Sequence, residues 1–91
     1  MHNGYTNYYT WVTALWLENT EANYNHYRGL YEELAEGRPA EDAAADLADA
    51  IREDMEDGNP LQGEANSYAD ILAAALQEIN YQEIAARFAD E

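Results

Sequence analysis

Apolar residues recur three and four positions apart in five successive segments, the spacing that lines one face of an α-helix. In the first, residues 8–18, Tyr8, Trp11, Val12, Leu15 and Trp16 make such a stripe. A small bundle would bury it, using bulky rings to offset short length. On this reading Trp11 and Trp16 hold the core together, while Tyr5 and Tyr9 fit core and surface equally. Asn19-Thr20-Glu21 reads as a stop and restart, with Thr20 as N-cap and Glu21 in the next first turn. The second helix then carries Tyr24, Tyr27, Leu30, Tyr31 and Leu34 inward and ends at Gly37.

Pro39 suits the first turn of a third helix, 39–57, because its missing N–H would have no intrahelical partner there. Ala40, Ala43, Ala44, Leu47, Ala48, Ile51 and Met55 form its apolar stripe. Glu41, Asp42, Asp46, Asp49, Glu53, Asp54, Glu56 and Asp57 fill the opposite arc, interrupted by Arg52. Gly58-Asn59-Pro60 breaks the helix. A fourth helix, capped by Asn66 or Ser67, is predicted to turn Tyr68, Ile71, Leu72, Ala75, Leu76 and Ile79 inward. Asn80 with Glu83 three residues on is a capping-box variant opening a short last helix that buries Ile84, Ala85 and Phe88. No segment alternates with period two, so the expectation is an all-α, compact bundle of four to five helices. It forms one domain over residues 1–91, with residues 1–7 as a frayed N-terminus.

Composition narrows what such a bundle does. At 91 residues it buries only ~60–65% of the surface its unfolded chain exposes, which leaves little room for a deep cofactor cleft. There is no cysteine, and no apolar run approaches the ~20 residues of a membrane span. The first residues lack the basic start and apolar stretch of a signal peptide, so an intracellular location is expected. Nineteen acids stand against four bases, all arginine, for a net charge of −15. A field this negative repels nucleic acid and anionic lipid, so neither is an expected direct partner. The 47% apolar and 12% aromatic content separates the chain from disordered acidic tails.

Catalytic and metal-binding constellations do not assemble. The histidines are His2 and His26, and Asn23 stands where a Glu-x-x-His metal motif needs its acid. A calcium loop with Gly58 at its sixth position would put Met55 at the third, where an oxygen ligand is required. No phosphate-cradling glycine loop or Ser-His-Asp set is present. The chain is accordingly read as no enzyme, with no catalytic, cofactor-binding or metal residues and no cofactor.

The acidity itself is localised. Residues 32–57 hold eleven of the nineteen acids against Arg38 and Arg52. Eight carboxylates over a helix of ~28 Å give one per ~3.5 Å of axis, close to the ~3.4 Å phosphate spacing along one strand of duplex DNA. Glu32, Glu33 and Glu36 extend the strip. A protein groove built for nucleic-acid backbone would attract such a surface by the same steering and counterion release. Two plainer readings compete. High-salt adaptation would explain the charge and the absence of lysine in a small halophilic structural or adaptor protein, although Glu exceeds Asp by 12 to 7. Acidity also simply keeps a small domain soluble.

The segment Asn7-Tyr8-Tyr9-Thr10-Trp11-Val12-Thr13-Ala14-Leu15-Trp16-Leu17-Glu18-Asn19 resembles a Tyr-x-Thr-Trp-x-x-x-Leu-Trp-x-x-Asn pattern of small, largely uncharacterised proteins of phages, plasmids and other mobile elements. Leu76-Gln77-Glu78-Ile79-Asn80-Tyr81-Gln82-Glu83-Ile84-Ala85 is similar to the closing Glu-Val-Asn-Trp-x-Glu-Ile-Ala of the same group, with Tyr81 in place of the tryptophan. The two motifs cover about a third of the chain. They carry no chemistry, and the acidic middle lies outside them. The resemblance implies a phage or mobile-element protein acting in the host cytoplasm. Its expected role is anti-defence: anti-CRISPR or anti-restriction inhibition through a basic nucleic-acid-binding host protein or complex, with the acidic helix as DNA mimic.

Overall fold

Gly37 adopts φ +70°, a left-handed state that a residue without Cβ reaches at no steric cost, and the chain reverses there between its second and third helices. The computed structural model describes residues 1–90 and contains five helices. They are α1 (Tyr8–Asn19), α2 (Glu21–Ala35), α3 (Ala40–Asp57), α4 (Ser67–Gln77) and α5 (Tyr81–Ala89). The architecture is the all-α bundle expected. α3 packs against α5 and α2, and α1 rests on that same pair from the other side. α2 and α5 are thus the middle layer between α1 and the acidic helix.

The core is assembled mostly by the predicted stripes. Leu47 and Ile51 of α3 meet Ile84, Ala85 and Phe88 of α5, all fully buried, with Tyr27 and Tyr31 of α2 closing over them. Phe88 lies 5.9 Å from the Tyr24 ring and 6.0 Å from that of Tyr27. Arg28 donates to the Phe88 carbonyl at 2.7 Å, tying α2 to the end of α5.

α1 is turned over relative to the sequence expectation. Its buried residues are Thr10, Thr13, Ala14 and Leu17, while Trp16, Tyr8 and Tyr9 are exposed and Val12 and Leu15 only half-buried. Trp11 alone of the predicted stripe packs against the core. Thr10, Thr13, Ala14 and Leu17 obey the same three-and-four spacing, and their small size lets α1 approach the middle layer closely. The two buried hydroxyls do not oppose this. Thr13 Oγ1 donates to the Tyr9 carbonyl at 2.7 Å, and Thr10 Oγ1 donates to Asn7 Oδ1 at 2.8 Å while accepting from the Asn80 N–H at 2.9 Å.

α4 is the second departure. Asn66 caps it by accepting from the Ala69 N–H at 2.8 Å, but only Ala69 is buried within it. Tyr68 and Ile71, expected inward, face solvent. Leu72, Ala75 and Leu76 are half-buried, and Ile79 is buried beyond the helix end in the turn to α5. The radius of gyration, 13.7 Å, exceeds the ~12 Å of a fully compact chain of this length, as a helix standing off the bundle requires.

Within the stretch expected to fray, residues 2–7 make hydrogen bonds. Asn3 and Gly4 both take positive φ (49° and 88°) in a two-residue turn. His2 and Tyr5 exchange backbone hydrogen bonds across it at 2.7 and 2.9 Å. Tyr5 is buried, and the Arg87 guanidinium lies 4.4 Å from its ring centroid while donating to the Gly4 carbonyl at 3.0 Å. Thr6 donates its N–H to Glu83 Oε1 at 2.8 Å, and Asn7 Nδ2 donates to the Glu78 carbonyl at 2.7 Å. Glu83 therefore does not complete the capping box. Asn80 accepts from the Glu83 N–H at 3.1 Å, but its own N–H goes to Thr10. The two motif segments at the ends of the chain are each other's hydrogen-bond partners.

Candidate acidic interface

α3 begins after Pro39, whose carbonyl accepts from Asp42 and Ala43. It ends at Gly58, whose N–H returns to Asp54. Its 18 residues span ~27 Å. All eight predicted acids, Glu41, Asp42, Asp46, Asp49, Glu53, Asp54, Glu56 and Asp57, are exposed. At about 100° of rotation per residue, Asp42, Asp46, Asp49, Glu53, Glu56 and Asp57 fall within roughly 100° of one another, with Glu41 and Asp54 at the two edges. Glu32, Glu33 and Glu36 are also exposed, on the side of α2 away from Tyr27 and Tyr31.

The face is not uniformly free. Asp46 pairs with Arg38 at 2.7 Å and Asp49 with Arg52 at 3.1 Å. Asp54, at the edge nearest the core, accepts from the Tyr27 hydroxyl at 2.8 Å. Burial, then that hydrogen bond and the carboxylate charge, push the Tyr27 phenol well above its ordinary range. Asp42, Glu53 and Asp57 have no such engagement among the described residues, and Glu32 faces Arg28 at 3.5 Å. Arg87 is held by Gly4 and Tyr5. Every arginine thus has an internal partner, and no cluster of basic groups offsets the acidic face.

Helix energetics do not account for the charge pattern. Glu41 and Asp42 in the first turn of α3 oppose the positive end of the helix dipole favourably, but Asp54, Glu56 and Asp57 crowd its negative end, where no basic residue stands. Each acid so placed costs about 0.3–1 kcal/mol. Sequence reading could find these residues, because exposure follows from the apolar stripe behind them. It could not find that Asp54 meets Tyr27 from another helix.

Beside the face, an open groove of about 450 Å³ runs between the end of α3, the loop after it and α4, lined by Arg52, Glu56, Asn59, Gln62, Leu76 and Tyr81 among others. The Tyr81 hydroxyl donates to the Leu76 carbonyl at 3.3 Å. Its pKa is raised by burial and by Glu56, against the opposing influence of Arg52. Residues 53–57 are helical, so the calcium-loop register does not form, and no group of three metal-ligating side chains gathers among the described residues. No described helix is long and apolar enough to cross a membrane. Comparison with protein-family models, curated proteins and solved structures finds no match.

Proposed function

We propose that the protein acts by binding: the acidic face of α3 occupies the nucleic-acid groove of a basic host protein or complex and so inhibits a CRISPR or restriction defence system. The observation that carries this reading is the concentration of six exposed acids on one narrow arc of α3, two of them, Glu56 and Asp57, placed against the helix dipole. Folding gains little from that placement beyond two surface ion pairs and a favourable acid in the first turn, whereas a phosphate-binding groove would gain charge complementarity along the helix. The resemblance of the chain ends to mobile-element proteins supports the biological setting, and the hydrogen bonds between those ends leave the exposed acids of α3 unengaged by them.

The experiment is charge reversal on α3. Replacing Asp46, Asp49 and Glu53 by lysine tests the face but also breaks two surface ion pairs. The set Asp42→Lys, Glu53→Lys and Asp57→Lys avoids them, and its dipole effects at the two helix ends offset one another. In phage plating on hosts carrying a CRISPR or restriction system, both triple variants are expected to stay helical and lose protection. Protection retained by a folded variant would sink the mimicry reading. The alternative, a halophilic structural or adaptor protein, draws on the −15 charge and the absence of lysine. It requires the fold to melt in dilute buffer and to recover in molar salt.

A further inference from the structure

The outward face of α1 departs from a self-contained bundle. Trp16 is 69% exposed, Tyr8 52% and Tyr9 43%, and the half-buried Val12 and Leu15 lie between them. Soluble monomers rarely display so continuous an apolar strip without a use for it. The charge map says what covers it. Residues 1–17 contain no Asp, Glu, Lys or Arg, in a chain that carries nineteen acids elsewhere. Between two copies of a −15 chain, like-charge repulsion opposes contact through acidic surfaces, and residues 1–17 add none of that charge.

We propose that two copies of this chain pair through α1. Tyr8, Val12 and Trp16 are spaced by four residues and form a single ridge, the row that packs into its counterpart when helices cross. A two-fold axis at Val12 sets Trp16 of one copy against Tyr8 of the other and Val12 against Val12, so the ridge is complementary to itself. The small central valine permits close approach, and the aromatic rings at either side supply the anchors that dominate interfaces. The three exposed rings offer roughly 350 Å² per copy, and the rims of Val12, Leu15 and Trp11 raise this to about 500–600 Å². The pair therefore buries about 1,000–1,200 Å², at the lower edge of specific interfaces, so the dimer is expected to be weak and concentration-dependent. Because α2 and α5 separate α1 from α3, the two acidic helices end up on the outer sides of the pair. This inference stands independently of the defence-inhibition reading.

Sedimentation of the full chain from about 1 μM to about 1 mM tests it. The wild type is expected to pass from 10.3 kDa to twice that mass, with added NaCl strengthening the dimer by screening the acids of the two copies. Trp16→Glu, at an exposed position that leaves the core intact, is expected to raise the dimer Kd by about 30-fold or more, through the loss of one flanking anchor from each copy. Tyr68→Glu, on the exposed side of α4, is expected to leave it unchanged. A wild type that stays monomeric at about 1 mM, a dimer indifferent to Trp16→Glu, one abolished by Tyr68→Glu, or one dissociated by salt would each overturn the proposal.

Discussion

Thr10 joins the two ends of the molecule, and replacing it by valine isolates what its hydroxyl contributes. The side chain is fully buried, and valine matches it in shape. The substitution removes the acceptor of the Asn80 N–H (2.9 Å) and the donor to Asn7 Oδ1 (2.8 Å). Asn7 Oδ1 keeps the Thr10 N–H at 2.8 Å and stays satisfied. The Asn80 N–H does not, and an orphaned donor in a part-buried site costs about 1–3 kcal/mol. A central figure of about 2 kcal/mol lowers Tm by roughly 8–16 °C in a domain of this size. Thr10→Ser keeps both hydrogen bonds and loses one methyl, so it should cost less than about 1 kcal/mol. Urea melts followed by circular dichroism, with amide exchange at Asn80, separate the two variants. If Thr10→Val lies within about 0.5 kcal/mol of wild type, or equals Thr10→Ser, the junction between the chain ends does not hold the fold in the way argued.

Two further expectations follow from the N-terminal anchor and from α2. Tyr5→Ala removes a buried ring and the Arg87 contact above it, and should cost about 2–4 kcal/mol in a urea melt, whereas a frayed terminus would lose nothing. Tyr27→Phe should cost about 1 kcal/mol near neutral pH by removing the hydrogen bond to Asp54. It also changes the alkaline limb: the folded Tyr27 pKa is raised above the ordinary value of 10.0, so the folded state favours the neutral phenol. That contribution is fully present below pH 10 and falls away as the pH climbs toward the folded pKa. Melts at pH values of about 9 and 11 should therefore show a steeper alkaline loss in wild type than in Tyr27→Phe.

Most of the fold was legible because apolar period and helix punctuation agreed. In α5, and in α3 apart from the exposed Ala40, the stripes predicted from spacing turn inward, and Asn66, Gly37 and Asn80 mark helix ends as their side chains or backbone freedom dictate. In α1 two stripes share the helical spacing, and the one with the bulky rings outweighs the one with threonine and alanine when only the sequence is considered. The structure instead buries the small residues, whose hydroxyls find partners within the helix and on Asn80. α4 misled for a related reason: nearly every side is apolar, so spacing names no inward face. The N-terminal turn had a readable signal in Asn3-Gly4, the pair favoured where two successive residues take positive φ. The acidic residues themselves were fully legible. Their pairings with Arg38, Arg52 and Tyr27 were not, since those depend on which helices lie side by side.

The central claim, that α3 presents a nucleic-acid-like surface to a basic partner, is tested most directly by competition on immobilised protein. A lysate from cells carrying the defence system is applied, and bound protein is eluted with duplex DNA. The account predicts that the captured protein binds nucleic acid, is released by the DNA, and is not retained by the folded Asp42→Lys, Glu53→Lys, Asp57→Lys variant. Capture that persists through excess DNA, or is equal on the lysine variant, would contradict it.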